Sequence, residues 1–180
     1  MRADAVRNRE RIIEAARAVF REKGYDAPLD EIARRAEVGP GTLYRHFATR
    51  EALHDAVMQA WVDNVTSSKE KVLASTNEGR ELLLEWLETY VRLISYNKGT
   101  PAKLTAAIDD ASSPLVTKCQ ALREANEAVL GRLEGAMRSD VNPIQVVKLV
   151  GGVASMADQS EMDAAAVRPL LEVVADGLLR

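Results

Sequence analysis

Between positions 41 and 46, Gly41, Thr42, Tyr44, Arg45 and His46 bring together a hydroxyl, a phenol, a guanidinium and an imidazole. All four groups bond to oxygen. If the stretch is helical, Leu43 and Phe47, four apart, share one face. At 100° per residue Arg45 then lies opposite Leu43, and Gly41 and Thr42 fall within about 60° of Arg45, with Tyr44 and His46 flanking that arc. A helix with two apolar anchors inward and this polar set outward is shaped to press against a polar surface. A helix-turn-helix offers such a face to the major groove of DNA.

The neighbouring residues supply the elements that would hold it. Leu29, Ile32, Ala33 and Ala36 form an apolar stripe at helical spacing. Val38-Gly39 breaks the pattern, and Pro40 opens a new helix, because a first turn needs neither a free φ nor its N–H. Upstream, residues 6–23 read as a helix that buries Ile12, Ile13, Ala16, Val19 and Phe20 and ends at Gly24. Ile13, Phe20, Ile32, Leu43 and Phe47 make a small core that fixes the angle of the outward-facing helix. Arg7, Arg9 and Arg11 either reach phosphate or a minor groove, or form a solvated face. Thr49 is an N-cap for a fourth helix with Glu51 in its first turn. Leu53, Val57, Trp61 and Val65 run along that helix as one stripe.

The residues GTLYRHF (41–47), with IARRAEV (32–38) before them and TREAL (49–53) after, resemble the DNA-binding domain of the TetR family of transcriptional regulators. The resemblance runs from Val6 to about Trp61, and extends to the whole chain in the layout of its helices. Pro28 stands where the family often has a capping Thr or Ser, and Gly39 where a Ser often caps the third helix. The resemblance implies an all-α fold of about nine helices. A three-helix DNA-binding domain (residues 1–48) would precede a larger effector-binding and dimerisation domain (residues 49–180). Thr42 and Tyr44 carry hydroxyls suited to phosphate oxygens. Arg45 is the expected base reader, since a guanidinium bonds a guanine edge at two points. His46 and Arg50 are expected on backbone phosphate, Arg50 in place of a common lysine. Pro40 and Gly41 let the helix start lie close to the groove.

Charge is consistent with this polarity. The net charge of −3 argues against nucleic acid, yet residues 1–50 hold 11 Lys/Arg against 8 Asp/Glu and the remainder 13 against 19. The cations therefore gather at the DNA-reading end, as phosphate neutralisation requires. No apolar run approaches the ~18 residues of a membrane span, and the charged start MRADAVRNRERI lacks a signal-peptide core. A single cysteine, Cys119, suits a reducing cytoplasm and reads as a small buried residue. Catalysis is not indicated: His46 and His54 both fall in the DNA-binding part, and Asp109-Asp110 and Glu161/Asp163 are not placed to face each other. No phosphate loop, metal spacing or cofactor signature is present.

The rest of the chain reads as helices over about 78–97, 104–108, 113–137 and 144–156, with a last one led by Arg168-Pro169. Asn142-Pro143 and Ser113-Pro114 are cap-and-start pairs. Two helices are apolar on more than one face: Val146, Val147, Leu149, Val150, Val153 and Met156 on one, and Leu170, Leu171, Val173, Val174, Leu178 and Leu179 on the other. They either sit at the centre of their domain or form a four-helix homodimer interface, and the second is the expectation, because a two-fold axis suits a palindromic operator. Met58, Trp61, Trp86, Tyr90 and Tyr96 are candidates to line a cavity for an unidentified small-molecule effector, against the plain alternative of ordinary core. The expected protein is a ligand-responsive homodimeric repressor. An alternative gives the second domain a protein partner, and a further one makes the chain a small-molecule enzyme or binder with an inert helix-turn-helix.

Overall fold

The computed structural model describes residues 2–95, 99–108, 110, 113 and 115–180, and among them nine helices and no strand. The chain divides into two compact units, Met1–Asp63 and Asn64–Arg180, with the division inside helix α4 (Arg50–Leu73).

The first unit contains α1 (Arg2–Lys23), α2 (Leu29–Arg35), α3 (Pro40–His46) and the start of α4. Gly24, at φ +83°, ends α1 and donates its N–H to the Phe20 carbonyl. Only glycine takes that left-handed conformation without a Cβ penalty. Ile12, Ala16, Val19, Ile32, Leu43, Phe47 and Leu53 close a core around which Ile13, Phe20 and Leu29 pack. Thr49 caps α4 as expected, its Oγ1 accepting from the Ala52 N–H at 3.1 Å. Neither Pro28 nor Gly39 provides a side-chain cap.

In the second unit the central helix is α5 (Gly79–Ile94), which buries Leu82, Leu83, Leu84, Trp86, Leu87 and Tyr90. It meets α6 (Thr100–Ala107), α7 (Val116–Gly131), α8 (Pro143–Gln159) and α9 (Ala164–Leu178). The sequence places the all-round apolar helices last, but α8 and α9 each bury one face and leave Leu149, Met156 and Val173 exposed. Asn126, 1% exposed, ties three elements together. It accepts from the Trp86 indole N–H at 3.0 Å and donates to the Pro143 carbonyl at 3.0 Å. Arg132 gathers the end of α4: its Nη1 donates to the carbonyls of Leu73 (2.9 Å) and Ser75 (3.0 Å), and its Nη2 to that of Asn77 (3.4 Å).

Several boundaries differ from the sequence reading, among them the starts of α1 at Arg2 and α6 at Thr100, ahead of the expected 6 and 104. α7 stops at Gly131 instead of continuing to about 137, and the chain tightens into successive i→i−3 bonds from Arg132, Leu133 and Glu134. Two glycines, Gly131 and Gly135, weaken helix propensity there. α9 begins at Ala164, five residues before Pro169. Asp163 caps it through the Ala166 N–H at 2.9 Å, so Pro169 lies inside the helix. The expected Asn142 cap is present as a full capping box with Gln145. Ser113 accepts from the Leu115 N–H, whereas Pro114 and Asp109 lie outside the described residues.

α6 and α8 approach closely at Gly151. A Cβ there would stand 2.2 Å from Thr105 Oγ1, which already donates to the Pro101 carbonyl at 2.8 Å. Gly151→Ala is therefore expected to destabilise the second unit by ~1–3 kcal/mol, as overpacking does. Adding Thr105→Ala should restore most of the loss. Denaturant titration of the single and double variants checks this, and an additive pair of losses would refute the contact.

Candidate nucleic-acid interface

The turn between α2 and α3 is closed by backbone bonds. The N–H groups of Ala36, Glu37 and Val38 reach the carbonyls of Ile32, Arg34 and Ala33 at 2.9, 3.1 and 3.0 Å. Glu37 takes φ +52°, a left-handed conformation uncommon for a side-chain-bearing residue. Its carboxylate receives Arg11 Nη2 at 2.5 Å, which anchors the turn to α1. Farther along, Arg35 bridges Glu22 and Glu31, and Lys23 meets Glu31 at 2.6 Å. The hydrogen bond from Arg35 holds the Glu22 carboxyl below the ordinary range, and the bond from Lys23 does the same for Glu31. α1 and α2 are thus fixed by ion pairs at the rim and by Ile12, Ala16 and Ile32 beneath.

α3 has seven residues, too few to persist alone in water. Leu43, 1% exposed, and Phe47, 4% exposed, pin it to the core, and the Arg9 guanidinium lies 5.4 Å from the Phe47 ring centre. The opposite face is open. Pro40, Gly41, Tyr44 and Arg45 are exposed, and Thr42 and His46 are half-buried. Arg45 folds back on its own helix: Nε donates to the Gly41 carbonyl at 3.1 Å and Nη2 to Thr42 Oγ1 at 3.0 Å. The guanidinium is thereby held along the outward arc by the residues it was expected to act with.

Arg50 departs from that arrangement. It is half-buried, and its Nη1 donates to the carbonyls of Tyr25 (2.7 Å) and Ala27 (2.6 Å), with the guanidinium 5.8 Å from the Tyr25 ring centre. Nη1 is committed to the α1–α2 loop, so any phosphate contact falls to the rest of the side chain. Tyr25 in turn meets the His54 ring edge-on at 5.1 Å and donates to Glu51 at 3.3 Å. No local pattern announces this clamp, because its partners are 23–26 residues apart. Of the arginines before Ile12, Arg7 pairs with Asp4 and Arg11 with Glu37. Arg34, not singled out in the sequence, has a side chain 76% exposed on the last turn of α2.

The effector-lining candidates are placed differently from the expectation. Trp61 is buried and Met58 half-buried in the first unit. Trp86 and Tyr90 are buried in the second, ring edge to face at 6.0 Å, and burial pushes the Tyr90 phenol well above its ordinary pKa. They serve as core. Tyr96 lies outside the described residues. One groove of the second unit, of about 660 Å³, instead runs along α5, the end of α8 and the start of α9, and neither Trp86 nor Tyr90 is among its described lining residues. Cys119 is buried, and burial raises its thiol pKa, which lowers its reactivity.

Comparison with known proteins agrees with this geometry. Residues 12–57 match the model of the bacterial regulatory proteins of the tetR family. Residues 78–180 match the C-terminal domain of SbtR-like transcriptional regulators. The chain is 37% identical over 90 residues to the HTH-type transcriptional activator FasR of Mycolicibacterium smegmatis, a match covering 49% of this chain and 41% of that one. It therefore spans less than half the length of that relative. A TetR transcriptional regulator from Streptomyces coelicolor is 32% identical, with a TM-score of 0.71 and coverage of 95% and 98%. The TetR transcription regulatory protein from Mycobacterium vanbaalenii is also 32% identical, with a TM-score of 0.65 and 99% of each chain covered. These relatives are regulators, not enzymes. An exposed polar arc on a short, pinned third helix, with matched family models at both ends of the chain, places this protein in the TetR family of DNA-binding transcriptional regulators.

Proposed function

We propose that the chain acts as a homodimeric repressor that binds a palindromic operator through residues 40–47 and is released by a small-molecule effector held in its C-terminal part. The reading rests on the α3 arc: Gly41, Tyr44 and Arg45 are open while Leu43 and Phe47 are buried on the same seven-residue helix and its cap. Thr42, Tyr44 and His46 bond phosphate oxygens, and Arg45 reads a guanine edge, exchanging its bonds to Gly41 and Thr42 for two to the base. Residues 1–48 read DNA and residues 49–180 take the effector and the second subunit. The exposed Leu149, Met156 and Val173 on α8 and α9 support pairing through the last two helices. α4, whose residues fall in both units, carries the effector's influence toward α3. The effector must bind the two states unequally for this to work. The cytoplasm, where Cys119 stays reduced, is the compartment of this activity.

Selection of bound duplexes from a random pool tests the reading, with a palindrome as the expected product. On the selected operator, Arg45→Ala should cost ~1–3 kcal/mol per half-site and relax preference at one base-pair position. A mobility-shift series over single-base operator variants reads both effects. Unchanged affinity in Arg45→Ala refutes the assignment of the base reader. A reporter that rises when the gene is deleted supports repression, and one that falls identifies an activator.

A further inference from the structure

The groove of the second unit has a composition that restricts what can occupy it. At about 660 Å³ it is of the size that holds small molecules, roughly 300–1,000 Å³. Val91 from α5, Ala157 from α8, and Val167 and Leu171 from α9 line it with apolar surface. Around them stand the carboxylates of Glu88, Asp158, Glu161 and Asp163, against the guanidinium groups of Arg92 and Arg168. Among the described residues the lining thus carries two more negative charges than positive.

The basic groups are partly engaged within the protein. Arg168 gives Nη1 to Glu88 at 2.5 Å and Nε to Glu172 at 3.2 Å, and Arg92 gives Nη2 to Thr89 at 2.8 Å. Two of the acids keep acceptor capacity beyond the bonds described. Asp158 takes the Gly99 N–H at 2.6 Å and Asp163 the Ala166 N–H at 2.9 Å, each filling one of roughly four acceptor positions on a carboxylate.

A backbone acceptor adds to them. In a helix the carbonyl of residue i accepts from the N–H of residue i+4. For Ala165, which lines the groove, residue i+4 is Pro169, which has no N–H. Among the described residues the lining therefore has a surplus of negative charge beside an apolar wall, and one of its backbone carbonyls lacks the usual i+4 donor.

We propose that this groove binds an amphipathic amine, its apolar body against Val91, Val167 and Leu171 and its ammonium among the carboxylates and the Ala165 carbonyl. An ammonium brings three donors and no acceptor, the complement of this lining. The assignment deepens the effector reading by naming site and ligand class, and depends on it only for the consequence at DNA.

Calorimetry on the full chain with octylamine, 1-octanol and octanoate, which differ only in head group, tests it. Octylamine should bind at least about tenfold more tightly than octanoate, with the alcohol between them. Ala165→Phe, at an exposed helical position, fills the groove and should abolish octylamine binding while helix content and melting stay unchanged. Pro169→Ala returns a donor to the Ala165 carbonyl and should weaken the amine alone. Glu88→Gln should narrow the gap between amine and octanoate. Octanoate binding as tightly as the amine, amine binding unaltered in Ala165→Phe, or no binding of any probe overturns the proposal. Operator release is measured separately: an amine that binds the groove and leaves the DNA complex intact supports the site and refutes only the effector reading.

Discussion

The double variant Leu149→Glu/Val173→Glu is expected to run as a monomer and to lose about a hundredfold or more in operator affinity. Leu149 is 47% exposed and Val173 73% exposed, so neither supports the fold of its own subunit. Leu149, Gly152, Val153 and Met156 follow one another at i, i+3, i+4 and i+7 along α8, the spacing of a single helical stripe. Val173 opens a second such surface on α9, and solvent-facing aliphatic strips on adjacent helices mark an association site. A glutamate on each helix places two like charges per subunit in a surface that a two-fold axis brings against itself, and burying an unpaired carboxylate is costly. The loss at DNA follows from tethering. Two heads joined in one particle bind the second half-site intramolecularly, and separating them removes an avidity worth 10²–10⁴. Light scattering coupled to size exclusion, followed by operator titration, reads both effects. A variant that remains a dimer with wild-type affinity would refute pairing through these helices.

Leu43→Ala is expected to remove DNA binding without touching a DNA-facing group. Leu43 is 1% exposed and is the only residue of α3 that is buried, with Phe47 following at its cap. Truncating a buried leucine costs ~2–5 kcal/mol, the higher end applying where neighbours cannot collapse into the space. Ala16, Ala33 and Ala36 of the same core are small, and their segments are already fixed by the Arg35–Glu22 and Arg11–Glu37 pairs, so collapse is limited. A helix this short has little stability apart from that anchor. The first unit should melt early while the second keeps its transition, and operator affinity should fall together with protection of the α3 amides in hydrogen exchange. Retention of that protection would show that α3 is held in another way. Leu43→Met, close in volume, should recover most of the binding.

The reading head was legible because its information is local. The Leu43/Phe47 spacing, Pro40 at a helix start and the Thr49 cap each sit within a few residues of what they determine, and the family resemblance from Val6 to about Trp61 added the biological context. Where partners are distant in sequence the reading could not foresee the placement. Arg50 looks like a phosphate ligand beside Thr49, yet its carbonyl partners are in the loop after α1. Trp86 and Tyr90 looked like cavity walls because aromatic type alone does not separate core from pocket, and only the Asn126 bond and their burial reveal core. The groove itself draws on residues 88–95 and 157–171, mostly small or acidic, a combination no single window displays. Pro169 misled for a different reason. A proline usually starts a helix, but Asp163 and the alanines after it start this one earlier, and the proline is carried inside at the loss of one bond.

Arg132 has a mechanical meaning for this chain. One guanidinium holds the carbonyls of Leu73, Ser75 and Asn77, so the place where the fourth helix stops is decided by a side chain from the tail of the seventh. A lysine there would offer a point charge in place of a planar fork and could not grip three oxygens in one geometry. Any ligand that shifts the tail of the seventh helix must therefore either drag that stop with it or let the fork go, which makes the arginine a natural clutch.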